Sequence, residues 1–524
     1  MDTKALRQKV LDLAIRGKLV PQDPSDEPAS VLLERIRQQK QQMVKEGKLK
    51  AKDIKNDTII FVGEDNLHYE KFTDGSVKCI EDDIPFELPK GWAWERLSNL
   101  ATFSGGKTPS TSRREYWDGE VLWVTSKDMK SKYITSSQLR LSVLGAEQMQ
   151  IYQPDTLLLV TRSGILRHTL PIAILKECAT VNQDLKAIVL YMPELAEYVY
   201  VCLKGMESQL LLKYTKSGTT VENVNFDEFQ KVLLPIAPFQ EIRKIIEATS
   251  EATIVVSSIE DEKAAMAEYI VKAKAKILDL AIRGQLVSQD PTDEPASVLL
   301  EQIRAEKEEL VQQGKIKRDK KESVIFRGEE NSYYLRTGEL VESLEGWAFE
   351  DLPDSWSVCC LGELCDYGNC TNVDTADIAD SAWMLDLEDI EKDSGVVLQK
   401  VRKAERNAAS TKHRFHKGQV LYSKLRPYLN KVVLADEDGY CTSEILPLEF
   451  ERNILPQYAR YYLMSPAFLR YANKCSYGVK MPRLGTADGK KAIISIPPFE
   501  EQKRIVLAIE LAFAQLGFIA ESLA

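Results

Sequence analysis

The chain contains itself twice. Residues 9–50, KVLDLAIRGKLVPQDPSDEPASVLLERIRQQKQQMVKEGKLK, return at 276–317 as KILDLAIRGQLVSQDPTDEPASVLLEQIRAEKEELVQQGKIK, with 29 identities in 42 positions at an offset of 267. Weaker matches follow in the same order. IIFVGEDN at 59–66 pairs with VIFRGEEN at 324–331, LPKGW at 88–92 with LPDSW at 352–356, and APFQEIRKII at 237–246 with PPFEEQKRIV at 497–506. The offset drifts to 260, close to half of the 524 residues. A period this long demands two halves of similar fold.

The repeat does not begin at residue 1. Residues 240–284 form the pattern of one long helix whose seam runs Ile242, Ile245, Thr249, Ala252, Val256, Ile259, Lys263, Met266, Ile270, Ala273, Ile277 and Leu280. Ten of these twelve are apolar at an average spacing of 3.5, which is coiled-coil patterning. Gly284 stops it. Its first half matches the C-terminal helix (Ile505, Ile509, Ala512, Leu516, Ile519, Leu523) and its second half the N-terminal one (Leu6, Val10, Leu13, then Gly17). The two chain ends laid end to end make a second copy. The expected architecture is therefore α+β: two mixed α/β globular segments in pseudo-two-fold arrangement, separated by long antiparallel coiled-coil helices.

Two polar modules link the arms to the globular segments. In each, Pro and Asp supply turn chemistry, and Ser30 or Ser297 is placed to cap a short helix. That helix carries Val31, Leu32, Leu33 and Ile36, or Val298, Leu299, Leu300 and Ile303, on one side. So small a module buries little alone, so the stripe is expected to pack on the arms or on a partner subunit. The strand-like segments 59–69 and 324–334 read as edge strands. The globular segments themselves diverge strongly while the arms stay nearly identical.

A net charge of −10 argues at first against a nucleic-acid partner. The charge is unevenly placed. Residues 21–90 hold 15 acidic and 11 basic side chains, giving −4, and residues 286–354 hold 17 and 9, giving −8. The remainder sums to +2. Residues 400–431 hold ten Lys/Arg against Glu405, giving +9, with tyrosines interleaved, a pattern suited to phosphate contact and base-edge readout. No apolar run approaches membrane-spanning length, MDTKALRQKV lacks a secretory apolar core, and nine cysteines suit a reducing cytoplasm.

Catalytic constellations are weak. ATFSGGKT at 101–108 meets a loosened phosphate-loop pattern, but Pro109 and a turn-like stretch follow where a helix is required. Its glycines instead suit a loop that approaches a nucleic-acid backbone closely. Cys359, Cys360, Cys365 and Cys370 lack zinc spacing and read as reduced core. Four histidines give no metal or nucleophile–base set. The reading is a binding protein, not an enzyme; an ATP-dependent enzyme built on 101–108 and a protein-only helical scaffold are the rivals.

The duplicated LDLAIRG frame, the LPxxW approach to each globular segment and the PFQEIRKII and PFEEQKRIV exits resemble the specificity subunit of Type I restriction-modification systems. So do SGGKTPS, EYWDGEVLWVTSKDM, VTRSGILRHTLPIA and TVNQDLKA in the first segment, and GQVLYSKLRPYLNKVVLADEDGYCTSEILPLEF in the second. The resemblance implies an N-terminal helix (1–20) completing the second arm, a module (21–87), a first target-recognition domain (88–235) and a central arm (236–285). A second module (286–350), a second recognition domain (351–495) and a C-terminal arm helix (496–524) complete the plan. It implies a cytoplasmic, phage-defence role reading a bipartite, asymmetric site in double-stranded DNA. It implies two methylation subunits on the arms, restriction subunits on that core, and no membrane. S-adenosylmethionine, ATP and magnesium are then expected on the partners, with no cofactor or metal in this chain.

Side-chain chemistry and the matched motifs together nominate DNA-binding residues, because Arg reads guanine, Asn and Gln read adenine, and Lys and Ser hold phosphate. In the first domain they are Lys107, Thr108, Ser110, Arg113, Lys127, Arg162, Arg167, His168, Asn182 and Gln183. In the second they are Arg406, Lys412, Arg414, Ser423, Lys424, Arg426, Tyr428, Asn430 and Lys431. Lys216, Ser217, Thr219, Tyr477, Lys480 and Arg483 are second choices.

Overall fold

A computed structural model describes residues 2–51, 54–216, 221–316, 323–328, 332–344, 352–406 and 410–523. The chain folds as two compact units, Met1–Glu262 and Lys263–Ala524. The division falls inside one continuous helix, Phe239–Ile282.

Each unit is built around the same latch. In the first, strand Ala93–Arg96 pairs antiparallel with Leu233–Ile236, and the second strand runs directly into the long helix. The Trp92 indole donates to Glu241 in that helix's first turn at 3.0 Å. Burial raises the Glu241 carboxyl above its usual range, against the pull of this hydrogen bond. The second unit repeats the geometry. Ser357–Cys360 pairs with Ile493–Ile496, and Trp356 donates to Glu501 at 3.1 Å. The LPxxW and PF(Q/E)E motifs, about 145 residues apart in sequence, are thus the two halves of one contact.

Gly17 and Gly284 sit on the same latch. Both have positive φ (63° and 69°), and a Cβ at either would lie 2.5 Å from Pro89 or Pro353. Glycine is therefore required twice over, by the left-handed turn that ends a helix and by the proline beneath it.

Within each unit two helices run antiparallel. Arg7, on helix Thr3–Ile15, pairs with Glu260 at 3.0 Å, while Gly17 lies beside Trp92 at the base of the long helix. In the second unit, helix Phe499–Leu523 starts at Glu501 near Trp356, and its Phe513 lies under Lys274 at 5.4 Å. Ile242, Ile245, Thr249 and Val256 are buried in the first unit and Ile270 in the second, whereas Met266 is exposed.

The expectation that no apolar stretch reaches membrane-spanning length is corrected here. Helix Phe499–Leu523 is long and apolar enough by length and composition. Its charges gather at Glu500, Glu501, Lys503 and Arg504, and only Glu510 and Glu521 follow. Its Ile505, Val506 and Ile509 are packed in the core of the second unit.

The module helices Ala29–Lys45 and Ala296–Gln312 bury Leu32, Leu33 and Ile36, and Leu299, Leu300 and Ile303, in their own unit's core. That core also holds the root of the long helix, so the apolar stripe has its partner inside the unit. Pro28 and Pro295 occupy the N-cap positions, and neither Ser30 nor Ser297 caps. Each module continues into a three-stranded antiparallel sheet: Ile59–Val62, His68–Lys71 and Val77–Cys79, and Ser323–Arg327, Tyr333–Thr337 and Leu340–Ser343. Residues 329–331 and 345–351, assigned to the second module and the start of the second domain, lie outside the described residues.

Glu95 lies at the junction of module and domain in the first unit, almost fully buried. It accepts from Asn99 at 2.6 Å and lies 3.5 Å from Arg37. Burial raises its carboxyl to about 7. Between the ordinary value near 4.5 and that folded value, the native state holds a proton the unfolded chain has released. Stability therefore falls as pH rises through this window, by up to about 3 kcal/mol. Glu95→Gln removes that dependence, and urea denaturation at pH 5 and pH 8 is expected to show the variant losing less stability than wild type between them.

Candidate nucleic-acid interface

In the first unit the five-stranded sheet runs Ala101–Gly105, Leu185–Leu190, Leu157–Val160, Ile172–Leu175, Tyr133–Ile134. Beside it, Trp117–Val124 pairs parallel with Ala179–Val181. The registers decide where the loops go. Gly105 pairs with Lys186, and Leu185 with Val160, so strands 101–105 and 157–160 end where strand 185–190 begins. Val124 lies opposite Val181. Segments 106–116, 125–132, 161–171 and 182–184 therefore leave from one end of the domain. Ten nominated residues scattered over 77 positions of sequence collect there.

The first of these loops is fastened down. Lys107 N–H donates to Val181 at 3.1 Å, the Trp123 indole donates to Lys107 at 3.2 Å, and Thr108 donates to Gln183. A Cβ on Gly106 would lie 2.0 Å from the Val181 carbonyl oxygen. Gly106 serves close approach to the domain's own backbone. After Thr108 the chain makes a short 3-10 turn, Arg114–Tyr116, and then a strand. No helix presents its N-terminus to a phosphate, so the nucleotide-hydrolysis rival has no structural support.

Lys107, Thr108, Ser110, Arg113, Lys127, Arg162, Arg167, His168 and Gln183 are exposed. Arg113 donates to the Tyr116 hydroxyl at 2.8 Å and stays on the surface. Arg167 is paired with Glu222, whose carboxyl it holds below the usual range. Asn182 is turned inward: it is buried and exchanges hydrogen bonds with Asp184 at 3.2 Å. It shapes the 182–184 turn. Lys130, not nominated, is exposed in the Lys127 loop with no hydrogen bond or ion pair from its side chain among the described residues. Ser217 and Thr219 lie outside the described residues, and Lys216 is exposed just before them.

In the second unit Lys412 pairs with Thr442, Ser423 with Ile445, and Leu385 with Cys441. The segments 386–390, 424–431 and 443–444 accordingly gather at one end, with Arg406 and residues 410–411 beside them. Hairpin 477–483 joins them through Arg426 N–H donating to Pro482 at 2.7 Å.

Five of the nine nominated residues here hold this end together. Arg406 makes a fork to fully buried Asp389, with 2.6 and 2.7 Å bonds, and lies 3.0 Å from Asp386. Burial pushes the Asp389 carboxyl up, but the guanidinium outweighs it and holds it below the usual range. Lys412 is buried 3.5 Å from Asp386. Ser423 is buried and donates to the Leu425 carbonyl at 3.0 Å. Asn430 donates to Met464 at 3.1 Å. Lys431 donates to Leu387 at 2.6 Å, its ammonium pushed down by burial. These five side chains are engaged within the domain. A donor already committed to a buried carboxylate or carbonyl is unavailable to a base edge.

What remains outward is compact. Arg426 and Tyr428 are exposed, Lys424 is half-buried, and none makes a side-chain hydrogen bond or ion pair among the described residues. Arg414 is exposed in mid-strand, facing away from His413. Arg426 has φ +50°, a left-handed conformation that costs a non-glycine residue roughly 1 kcal/mol or more. Arg483 is committed to Glu444 at 2.7 Å, whereas Tyr477 and Lys480 are exposed. Sequence reasoning missed the apolar tip of this hairpin: Val479 is fully exposed and Met481 is 43% exposed. The signal was the YGVKMP turn, in which apolar residues flank Gly478 with no periodic core partner.

The +9 of residues 400–431 is also reduced by neighbours distant in sequence. Lys400 pairs with Asp436, Arg402 with Glu437 and Lys403 with Asp380, at 2.7 to 3.0 Å, beside the Arg406 and Lys412 contacts. Cys359, Cys360 and Cys365 are buried, with the Cys360 thiol pushed up to about 12 by burial.

The family model described as Type I restriction modification DNA specificity domain matches residues 89–264 and 353–515. Two Escherichia coli proteins are similar over most of the chain. The Type I restriction enzyme EcoAI specificity subunit is 26% identical over 401 residues, covering 66% of this chain and 64% of that protein. The EcoEI specificity subunit is 27% identical over 427 residues, covering 69% and 61%. The matches thus span just under two thirds of these relatives' length. A solved structure from work on assembly of the type I R-M system shares the fold, with TM-score 0.50 at 16% identity, over 84% of this chain and 94% of that one.

Proposed function

The chain belongs to the Type I restriction-modification DNA specificity family, and on that premise we propose that it is the non-catalytic DNA-reading subunit of such a complex. Each unit reads one half of a bipartite, asymmetric site. The observation that carries this reading is the gathering of separate basic loops at one end of each domain, on two scaffolds alike in frame and different in loop sequence. Lys107, Arg113, Lys127, Lys130 and Arg162 form the first reading surface, and Lys424, Arg426, Tyr428 and Lys480 the second. Catalysis and its cofactors, S-adenosylmethionine, ATP and magnesium, belong to partner subunits. Two methylation subunits lie along the helical arms, the restriction subunits join that core, and the complex works in the cytoplasm.

The test is exchange of residues 88–235 for another recognition domain, followed by mapping of methylated sites by long-read sequencing in cells carrying all partner subunits. One half-site is expected to change while the other persists; unchanged sites would refute the reading. At single-residue scale, Arg426→Ala is expected to cost about 1–3 kcal/mol for the cognate site. Lys127→Ala is expected to weaken all sequences alike and to lower the salt dependence of binding by about one phosphate contact. Fluorescence anisotropy over a salt series with cognate and scrambled duplexes separates the two.

A further inference from the structure

Hairpin 477–483 of the second unit carries chemistry that the reading surface above leaves unused. Tyr477, Val479 and Met481 alternate along its tip, and all three are exposed. Turns are ordinarily filled by glycine, proline and small polar residues, because a tip in water gains nothing from apolar side chains. Here Gly478, at φ +101°, supplies the left-handed position, and the apolar side chains are additional to what the turn requires.

The tip is held in place from several sides. Tyr477 and Arg483 exchange backbone hydrogen bonds of 3.1 and 2.9 Å, which close the ribbon. Arg426 N–H donates to the Pro482 carbonyl at 2.7 Å, and Leu484 N–H donates to Lys424 at 3.0 Å. The returning side of the ribbon is thereby laced to the segment that bears Lys424 and Arg426. The Arg483 guanidinium, forked onto Glu444, also donates to the Met481 carbonyl at 3.1 Å. Ser476 donates to the Ala472 carbonyl at 2.6 Å, which ties the base of the hairpin to helix Pro466–Cys475. An apolar tip is thus fixed beside Lys424 and Arg426. Lys480, within the tip itself, likewise makes no side-chain hydrogen bond or ion pair among the described residues.

Size and charge identify what the tip meets. Three side chains cannot supply the roughly 800 Å² that each partner buries in a stable protein interface, and the cations beside them favour a polyanion. Phosphates and most base-edge atoms of DNA offer hydrogen bonds, which valine cannot make. The C5-methyl group of thymine, in the major groove, is the apolar feature among them. A ribbon of two backbones about 4.8 Å apart fits that groove, roughly 12 Å wide, and with its side chains overfills the minor groove, roughly 6 Å wide. We infer that Val479 reads a thymine methyl group in the half-site of the second unit, with Lys480 on phosphate beside it. This rests on the specificity-subunit reading above. At the offset of 260 that relates Leu233 to Ile493, Gly218 matches Gly478 and Thr219 matches Val479. The first unit's sequence therefore has a hydroxyl in place of one valine methyl, so the two units differ in apolar reading chemistry at this position.

The experiment uses the full chain assembled with its partner subunits and a duplex carrying the mapped methylation site. The half-site that persists when residues 88–235 are exchanged belongs to the second unit. Each thymine in it is replaced in turn by deoxyuridine, which removes the methyl group alone, and binding is read by fluorescence anisotropy. One replacement is expected to weaken wild type about four-fold, the worth of one buried methyl group. Val479→Ser is expected to bind the thymine duplex at least about four-fold more weakly, with no further loss on uracil and unaltered melting. Lys480→Ala is expected to weaken both duplexes alike and to keep the thymine-to-uracil ratio. Wild-type binding unchanged by every replacement overturns the inference, as does a Val479→Ser chain that keeps the ratio or a half-site without an A·T pair. Loss of a partner subunit from Val479→Ser at unchanged DNA affinity overturns it too. A wild-type complex that binds no duplex overturns the specificity-subunit reading as well.

Discussion

Arg406→Ala is expected to unfold the reading end of the second unit. Asp389 is fully buried, and the guanidinium supplies its two shortest bonds. Removing one partner of a buried pair leaves the other charge uncompensated, at a cost of about 3–5 kcal/mol. The Gln399 amide and the Asp386 N–H remain, but neither carries charge. The carboxyl therefore takes up a proton, and the variant becomes less stable as pH rises through the carboxylate range. Arg406→Lys keeps the charge and loses the fork, so it falls between. Arg406→Ala with Asp389→Asn removes both charges and recovers part of the loss. Urea denaturation of the full chain measures all four proteins. A variant as stable as wild type that has nonetheless lost its DNA site would show that Arg406 reads bases after all.

Trp92→Ala has the second large effect, at the latch of the first unit. The indole is buried, and it donates to Glu241, whose other carboxylate oxygen has no partner. Truncation creates a cavity between Pro89, Gly17 and the long helix and leaves the carboxylate without its donor. Loss of a buried Trp costs about 3–5 kcal/mol, lowering the melting temperature of a unit this size by roughly 10 °C. The repeat supplies the control. Trp356→Ala removes the matching indole in the second unit, where Gln289 still donates to Glu501 at 2.6 Å, so calorimetry of the two single variants should show the smaller loss there, with each loss confined to one transition. A loss below about 1 kcal/mol in either would mean the latch is decorative.

Much of the architecture was legible because a repeat exposes its own invariants. The 3.5-residue spacing from Ile242 to Leu280 gave the long helix, and Gly17 and Gly284 marked helix ends that the structure confirms by positive φ. What joins LPxxW to PFQE was not legible, since a hydrogen bond between residues 149 apart leaves no local signature. The membrane-length error at Phe499–Leu523 has the same root: periodicity showed one buried stripe, and the run of apolar residues on its other faces went uncounted.

The reading residues were legible as chemistry and not as geometry. Composition found the basic stretch 400–431 without distinguishing Arg426, which faces outward, from Arg406, which faces Asp389. The two arginines are twenty positions apart in one basic run. Only the register of the surrounding strands, set by pairings such as Lys412 with Thr442, assigns one to the interior. Asn182 shows the same limit: an amide able to read adenine is equally able to close a turn, and Asp184 sits two residues away to receive it.

The chain enters each domain beside its tryptophan latch and reaches the reading loops only after crossing the sheet. In the first unit Trp92 precedes Ala101, and the loop begins past Gly105, at the other end of that strand. Heritable change is thereby partitioned. Substitutions, insertions or whole-loop replacements at the reading end leave the latch, its glycine and its glutamate untouched. Changes of that kind leave intact the fold that displays the loops. Because the chain carries two such scaffolds, a change in the loops of one leaves the latch and loops of the other as they were.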